Sequence, residues 1–132
     1  MRRLPTTAIL CVDDDPSVLD SLWIQLERNF GSDHLIESAE SALEGLEVID
    51  HLSEQGIGVL IIVSDWLMPG MSGGEFIKCV KVLYPDMRAI ILSGQADSEK
   101  LDDLLRVGHV SSLVMKPWNE TELVAAINDA LK

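Results

Sequence analysis

Four short apolar runs, Ala8 to Val12, Val59 to Val63, Ala89 to Leu92 and Leu113 to Met115, are rich in Val, Ile and Leu and do not alternate with polar residues. A strand wetted on one face alternates with a period of two. Continuous runs of this kind therefore predict strands covered on both faces, as in a parallel sheet held between two layers of helix. A weaker run, His34 to Glu37, fits an edge strand.

Between the runs the period becomes helical. Val18, Leu19, Leu22, Trp23, Leu26 and Phe30 lie on one helical face, with Pro16 suited to the first turn and Gly31 to the exit. Trp23 falls within that stripe and is expected in the core. Ala39, Ala42, Leu43, Leu46, Ile49 and Leu52 form a second stripe ended by Gly56, and Phe76, Ile77, Val80, Leu83 and Tyr84 a third ended by Pro85. Leu101, Leu104, Leu105 and Val107 make a shorter fourth helix, capped by Asp97 or Ser98 and leaving at Gly108. In the fifth, Asn119 precedes Glu122 by three residues, a variant capping box, and Leu123, Val124, Ile127 and Leu131 are the buried stripe. The order is (βα)5, an α/β chain whose right-handed crossovers place helices on both faces of a doubly wound parallel sheet. The strands are expected at about 8–12, 34–37, 59–64, 88–92 and 112–115.

The 132 residues fit a single domain spanning 1–132. Ten basic against 22 acidic side chains give a formal charge of −12, which disfavours direct nucleic-acid or membrane-surface binding. Cys11 and Cys79 sit in apolar settings and are expected as small core side chains, not as a disulfide. Arg2 and Arg3 precede an apolar stretch too short for a signal peptide, and no run approaches a membrane span, so the expected location is cytoplasmic.

Acids and hydroxyls gather where the predicted strands end. Ala8 to Val12 runs into Asp13, Asp14 and Asp15; the third run leads into Ser64 and Asp65; the fourth ends at Ser93; and the fifth at Lys116-Pro117. Ligands of doubly wound sheets bind at the carboxyl ends of the strands, and at the switch point the first and third strands are neighbours. That brings Asp13, Asp14 and Asp65 together. Two like charges about 4 Å apart repel by about 4 kcal/mol at an effective dielectric of 20, so a cation is required. An all-oxygen, carboxylate-rich pocket favours Mg2+, which typically pairs with a phosphoryl group. Lys116 supplies a fixed positive charge, and the Ser93 hydroxyl can donate to a phosphoryl oxygen. Together these fit phosphoryl transfer to an aspartate, chemistry that depends on positioning and charge neutralisation more than on a catalytic His. His34, His51 and His109 are read as structural or solvated.

The chain resembles, over nearly its whole length, the receiver domain of two-component response regulators. The matching motifs are Ile9-Leu10-Cys11-Val12-Asp13-Asp14-Asp15-Pro16, Ser64-Asp65-Trp66-Leu67-Met68-Pro69-Gly70-Met71-Ser72-Gly73, Ile91-Leu92-Ser93-Gly94 and Met115-Lys116-Pro117-Trp118. The resemblance implies a flavodoxin-like sheet in the order 2-1-3-4-5. It implies Asp65 as phosphoacceptor, Mg2+ held by Asp13, Asp14, Asp65 and the Leu67 backbone carbonyl, Ser93 and Lys116 on the phosphoryl group, and a cis Lys116-Pro117 bond. It further implies a sensor histidine kinase or phosphotransfer protein as donor. The output is expected at the face of the fourth helix, fifth strand and fifth helix, through a homodimer or an effector domain.

Several positions depart from that pattern. Leu113 stands where such domains usually carry Tyr or Phe. Leu67 and Gln95 occupy positions that tune the lifetime of the phosphoryl group, and an apolar Leu67 is expected to shield it from water. The stretch from Asp14 to Asp65 is a few residues longer than usual, which points to a longer second helix or to the loop near Ser53 to Gly58.

Each feature also has a plainer reading. Asp15 is expected as a helix cap or surface charge. Trp66 suits either packing over the site or a partner contact, and Trp118 the outer face near the fourth and fifth helices. The rival function is a phosphatase of the haloacid dehalogenase type with Asp13 as nucleophile and Asp15 as acid/base, but that pattern leaves Asp65 unexplained and lacks an acidic pair after Lys116. A pseudo-receiver that binds without being phosphorylated is the other alternative. A flavin-binding domain is disfavoured, because an acidic triplet after the first strand repels an FMN phosphate.

Overall fold

The computed structural model describes residues 5–94 and 99–132, with side chains for all of these except 99–101. Among the described residues five strands and five helices alternate: β1 (Thr7–Val12), α1 (Pro16–Phe30), β2 (Leu35–Ala39), α2 (Ala42–Glu54), β3 (Gly58–Asp65), α3 (Gly73–Leu83), β4 (Arg88–Ser93), α4 (Glu99–Arg106), β5 (Ser112–Met115) and α5 (Glu120–Leu131). The strands form one parallel sheet in the order β2-β1-β3-β4-β5, the doubly wound topology expected.

Why the runs do not alternate is visible in the two cores. Ala8, Leu10 and Val12 of β1 face α2 and α3 together with Ile62, Ala89, Ile91 and Phe76. Ile9 and Cys11 face the other way, onto α1 and α5, with Ile61, Val63, Ile90, Leu22 and Ile127. Successive residues are thus buried on opposite faces, each large aliphatic contributing about 1.5–3 kcal/mol. Burial pushes the Cys11 thiol up to about 12, so it stays a neutral core side chain. Cys11 and the partly buried Cys79 are both free thiols.

Local chemistry starts the helices. Asp15 caps α1, its Oδ1 accepting from the Ser17 N–H at 2.9 Å and the Ser17 hydroxyl at 2.7 Å. Ser41, Ser72 and Asn119 cap α2, α3 and α5 in the same way. Gly56 and Gly108, at φ 78° and 81°, let the chain leave α2 and α4 through the left-handed region.

Several expectations change. The β2 strand runs from Leu35 to Ala39, not 34–37, so Ala39 is a strand residue and not the first of the α2 stripe. Trp23 is 44% exposed. Leu19, Leu22, Leu26 and Phe30 already fill the contact of α1 with the sheet, and position 23, next to Leu22, turns past its edge. Leu43, Leu83 and Val107 are likewise exposed, because each lies at the margin of a stripe narrower than the apolar pattern implied. Trp118 packs not toward α4 but on the α1 side, where its Nε1 donates to Gln25 Oε1 at 2.7 Å. Trp66 is buried. His34 Nδ1 pairs with the Thr7 hydroxyl at 2.7 Å, a structural link between β1 and the start of β2. The expected α4 caps, Asp97 and Ser98, and the positions Arg2, Arg3 and Gln95 lie outside the described residues.

The β3 strand carries a bulge where it lies against β1. Ala8 pairs with Val59 but Ile9 pairs with Ile61, so Leu60 has no partner on β1 and is turned partly outward. This bulge advances β3 by one residue. Since side chains alternate faces, it sets which face every later residue of β3 presents.

Candidate functional site

The sheet register assembles the site. Val12 pairs with Ser64, so the next residues, Asp13 and Asp65, leave adjacent strands at the same level. Ser93 pairs with Met115, which places Ser93 beside Lys116. Asp65 and Ser93 are the last residues of β3 and β4, not the first of the following loops as expected. The strand backbone therefore holds both.

Asp13 is 1% exposed and Asp65 9%, while Asp14 is open to solvent. One carboxylate oxygen from each of the three lies within 4.8 Å of the others. Asp13 is tied at both oxygens: Oδ1 accepts from the Asp15 N–H at 2.9 Å, and Oδ2 from Lys116 Nζ at 2.9 Å. The same ammonium donates to Asp65 Oδ1 at 3.2 Å. Burial, then the charge of Asp13, raises the Asp65 carboxyl above its ordinary value; Lys116 and the Trp66 N–H oppose this without cancelling it. Burial works to lower the Lys116 ammonium, but its bonds to Asp13 and Asp65 outweigh that and hold it above the ordinary value. Among the described residues the result is a carboxylate cluster with one fixed cation, short of positive charge, which is the electrostatic condition for binding a divalent metal. The fit is to a hard, oxygen-seeking ion such as Mg2+.

The loop after Asp65 is clamped by α3. The Gly73 N–H donates to the Trp66 carbonyl at 3.0 Å, and the Trp66 N–H donates to the Leu92 carbonyl at 3.0 Å. A Cβ at Gly73 would stand 2.1 Å from the Asp65 carbonyl oxygen, so only glycine permits this approach. The buried Ser64 hydroxyl donates to the same carbonyl at 3.0 Å. The sequence does not mark Gly73 as a site residue, and it shows Ser64 only as a hydroxyl at a strand end. A hydroxyl inside an otherwise apolar strand, and two adjacent glycines opening a helix, are the signals that could have marked them. Asp15 points away from the cluster into its helix cap, which removes the acid/base required by a haloacid dehalogenase mechanism. The Lys116-Pro117 bond is cis, as the resemblance implied.

A (βα)5 sheet with such a cluster at its switch point belongs to the class of acidic, phosphoryl-handling α/β domains. The chain belongs to the response regulator receiver domain family, whose model matches residues 9–128. It is a receiver of two-component signal transduction. It is 28% identical over 124 residues to a chemotaxis protein CheY homolog of Campylobacter jejuni, covering 92% of this chain and 91% of that one. It is 28% identical over 124 residues to the transcriptional regulatory protein FixJ of Bradyrhizobium diazoefficiens, covering 94% of this chain and 56% of FixJ. It is 30% identical over 123 residues to the transcriptional regulatory protein YesN of Bacillus subtilis, covering 93% of this chain and 32% of YesN. The chain thus spans only about a third to a half of these two regulators. Among solved structures, a response regulator receiver domain protein from Clostridium thermocellum superposes with a TM-score of 0.82 at 27% identity, covering 95% of this chain and 94% of that one. Among the described residues no helix is long and apolar enough to cross a membrane.

Proposed function

We propose that Asp65 is the phosphoacceptor of this receiver and that residues 1–132 work as one such domain in the cytoplasm. The observation that carries the reading is the shared ammonium: Lys116 spans Asp13 and Asp65 at 2.9 and 3.2 Å, so the nucleophile and the acidic cluster share one counter-charge. An Asp65 carboxylate oxygen attacks the phosphorus of a phosphohistidine, the P–N bond breaks, and its electron pair leaves on the imidazole nitrogen. The product is an acyl phosphate, later lost when water attacks phosphorus and the carboxylate departs. In this reading Lys116 and the Ser93 hydroxyl donate to the phosphoryl oxygens. Asp13, Asp14, Asp65 and the Leu67 carbonyl would hold Mg2+, which when bound neutralises charge on the carboxylates and the transferred group.

The donor is a sensor histidine kinase or phosphotransfer protein, and the output a homodimer or effector domain at the α4-β5-α5 face. The domain assists its own phosphorylation and is not otherwise an enzyme. Incubation with acetyl phosphate and Mg2+, followed by intact mass, tests the assignment. The adduct is expected on the natural chain and lost in Asp65→Asn; an adduct that persists in Asp65→Asn overturns it, and absence of any adduct on the natural chain favours a pseudo-receiver.

A further inference from the structure

Trp66, the residue next to the proposed phosphoacceptor, is seated where two helices meet. Its backbone is held at both polar groups: its N–H donates to the Leu92 carbonyl at 3.0 Å, and its carbonyl accepts from the Gly73 N–H at 3.0 Å. Trp66 as a whole is 8% exposed. A Cβ at Gly74 of α3 would stand 2.9 and 3.0 Å from two indole carbons and 3.3 Å from Leu104 Cδ1 of α4. Gly74 is therefore the gap through which the ring reaches α4.

The two helices are not equally anchored. The α3 helix buries Phe76, Ile77 and Val80 in the main core. The α4 helix has eight residues and is strongly polar, and Leu104 is its one fully buried side chain among those described. An element with so few buried contacts is the one that yields when its neighbour moves. Beside it lies a groove of about 590 Å³ between α3 and α4, floored by Trp66 and Leu104 and rimmed by Leu67 and Val107, both exposed. Leu113 of β5 is half-buried and aliphatic, with no polar atom to answer a change at Ser93.

We infer that Trp66 is a positioning residue that transmits the state of Asp65 to α4 through its packing on Leu104, so that the α3–α4 groove changes shape with phosphorylation. The inference rests on Asp65 being the phosphoacceptor. A new group on the carboxylate displaces the adjoining Trp66 backbone, the indole shifts against Gly74, and Leu104 follows.

Beryllium fluoride with Mg2+, a stand-in for a phosphoryl group on a carboxylate, tests this on the full chain. Bound fluoride is counted by 19F NMR, and amide exchange of 99–106 is followed at equal occupancy. Loading the natural chain is expected to change that exchange about tenfold, within the usual range for coupled sites. Trp66→Ala and Leu104→Ala should reduce the change to less than about twofold, Trp66→Phe should keep most of it, and Leu113→Ala should leave it intact. Leu104→Ala lies away from the carboxylates, so it decides the matter even where Trp66→Ala fails to load. A full response in Leu104→Ala, its loss in Leu113→Ala, or no response in the loaded natural chain overturns the inference. Failure of the natural chain to load, seen directly in the fluorine signal, overturns the assignment of Asp65 and this inference with it.

Discussion

Lys116 Nζ stands 3.2 Å from Asp65 Oδ1, a strand-end lysine and a strand-end aspartate brought together from two non-adjacent strands. The same nitrogen holds Asp13 at 2.9 Å, so one cation serves two buried carboxylates.

Removing that cation should be costly in a way that a metal can repair. Breaking a fully buried pair costs about 3–5 kcal/mol; with Lys116 about a quarter exposed, Lys116→Ala should destabilise by about 2 kcal/mol. Chemical denaturation with and without millimolar Mg2+ checks this, and the deficit should shrink when the metal is present. A deficit indifferent to Mg2+ would mean that the acids and the metal do not share a site.

The Asp65 carboxyl is held above its ordinary value, first by burial and then by Asp13. Between the ordinary and raised values the folded chain keeps a proton that the unfolded chain has lost, so stability falls as pH rises through that window. Above the window the cost of the buried charge is present in full; below the ordinary value of 3.8 it is absent. Asp65→Asn should therefore melt higher than the natural chain at pH 7 without metal, with the gain fading as pH falls through the window. A gain that grows on acidification would contradict the assignment of burial as the cause.

Gly73→Ala should damage the site without touching a carboxylate. Its methyl would meet the Asp65 carbonyl oxygen at 2.1 Å, and relieving an overlap of this kind costs about 1–3 kcal/mol. Because the shift displaces Asp65 itself, the yield of acetyl phosphate adduct should fall along with the melting temperature. A variant that phosphorylates at the natural rate would show that the clamp does not position Asp65.

Trp23→Gln should cost less than about 1 kcal/mol, although Trp23 follows the apolar stripe of α1. A core tryptophan truncated to a small side chain loses about 3–5 kcal/mol, but this ring is 44% exposed. Urea denaturation separates the two cases.

How much of this was legible in the sequence follows from the range of the interactions. Caps, helix stops and two-sided strands depend on neighbours within a few residues, so Asp15, Asn119 and the apolar runs could be read directly. The stripe margins could not: Trp23, Leu43 and Leu83 have the hydrophobicity of core residues and the wrong azimuth, and only the width of the packed contact distinguishes them. The seat of Trp118 is hidden for a different reason: its partner Gln25 lies 93 residues away in sequence.

By itself the sequence determined the (βα)5 order, the parallel sheet and the set of chemical groups at the strand ends, because local periodicity and strand–loop boundaries are written in consecutive residues. Tertiary structure decided how those groups meet. The unpaired Leu60 shifts the register by one, and a one-residue slip reverses every side chain after it; that shift pairs Val12 with Ser64 and so sets Asp13 beside Asp65. Pairing across strands is a long-range choice made by packing on both faces of the sheet at once, and no local pattern around Asp65 specifies it.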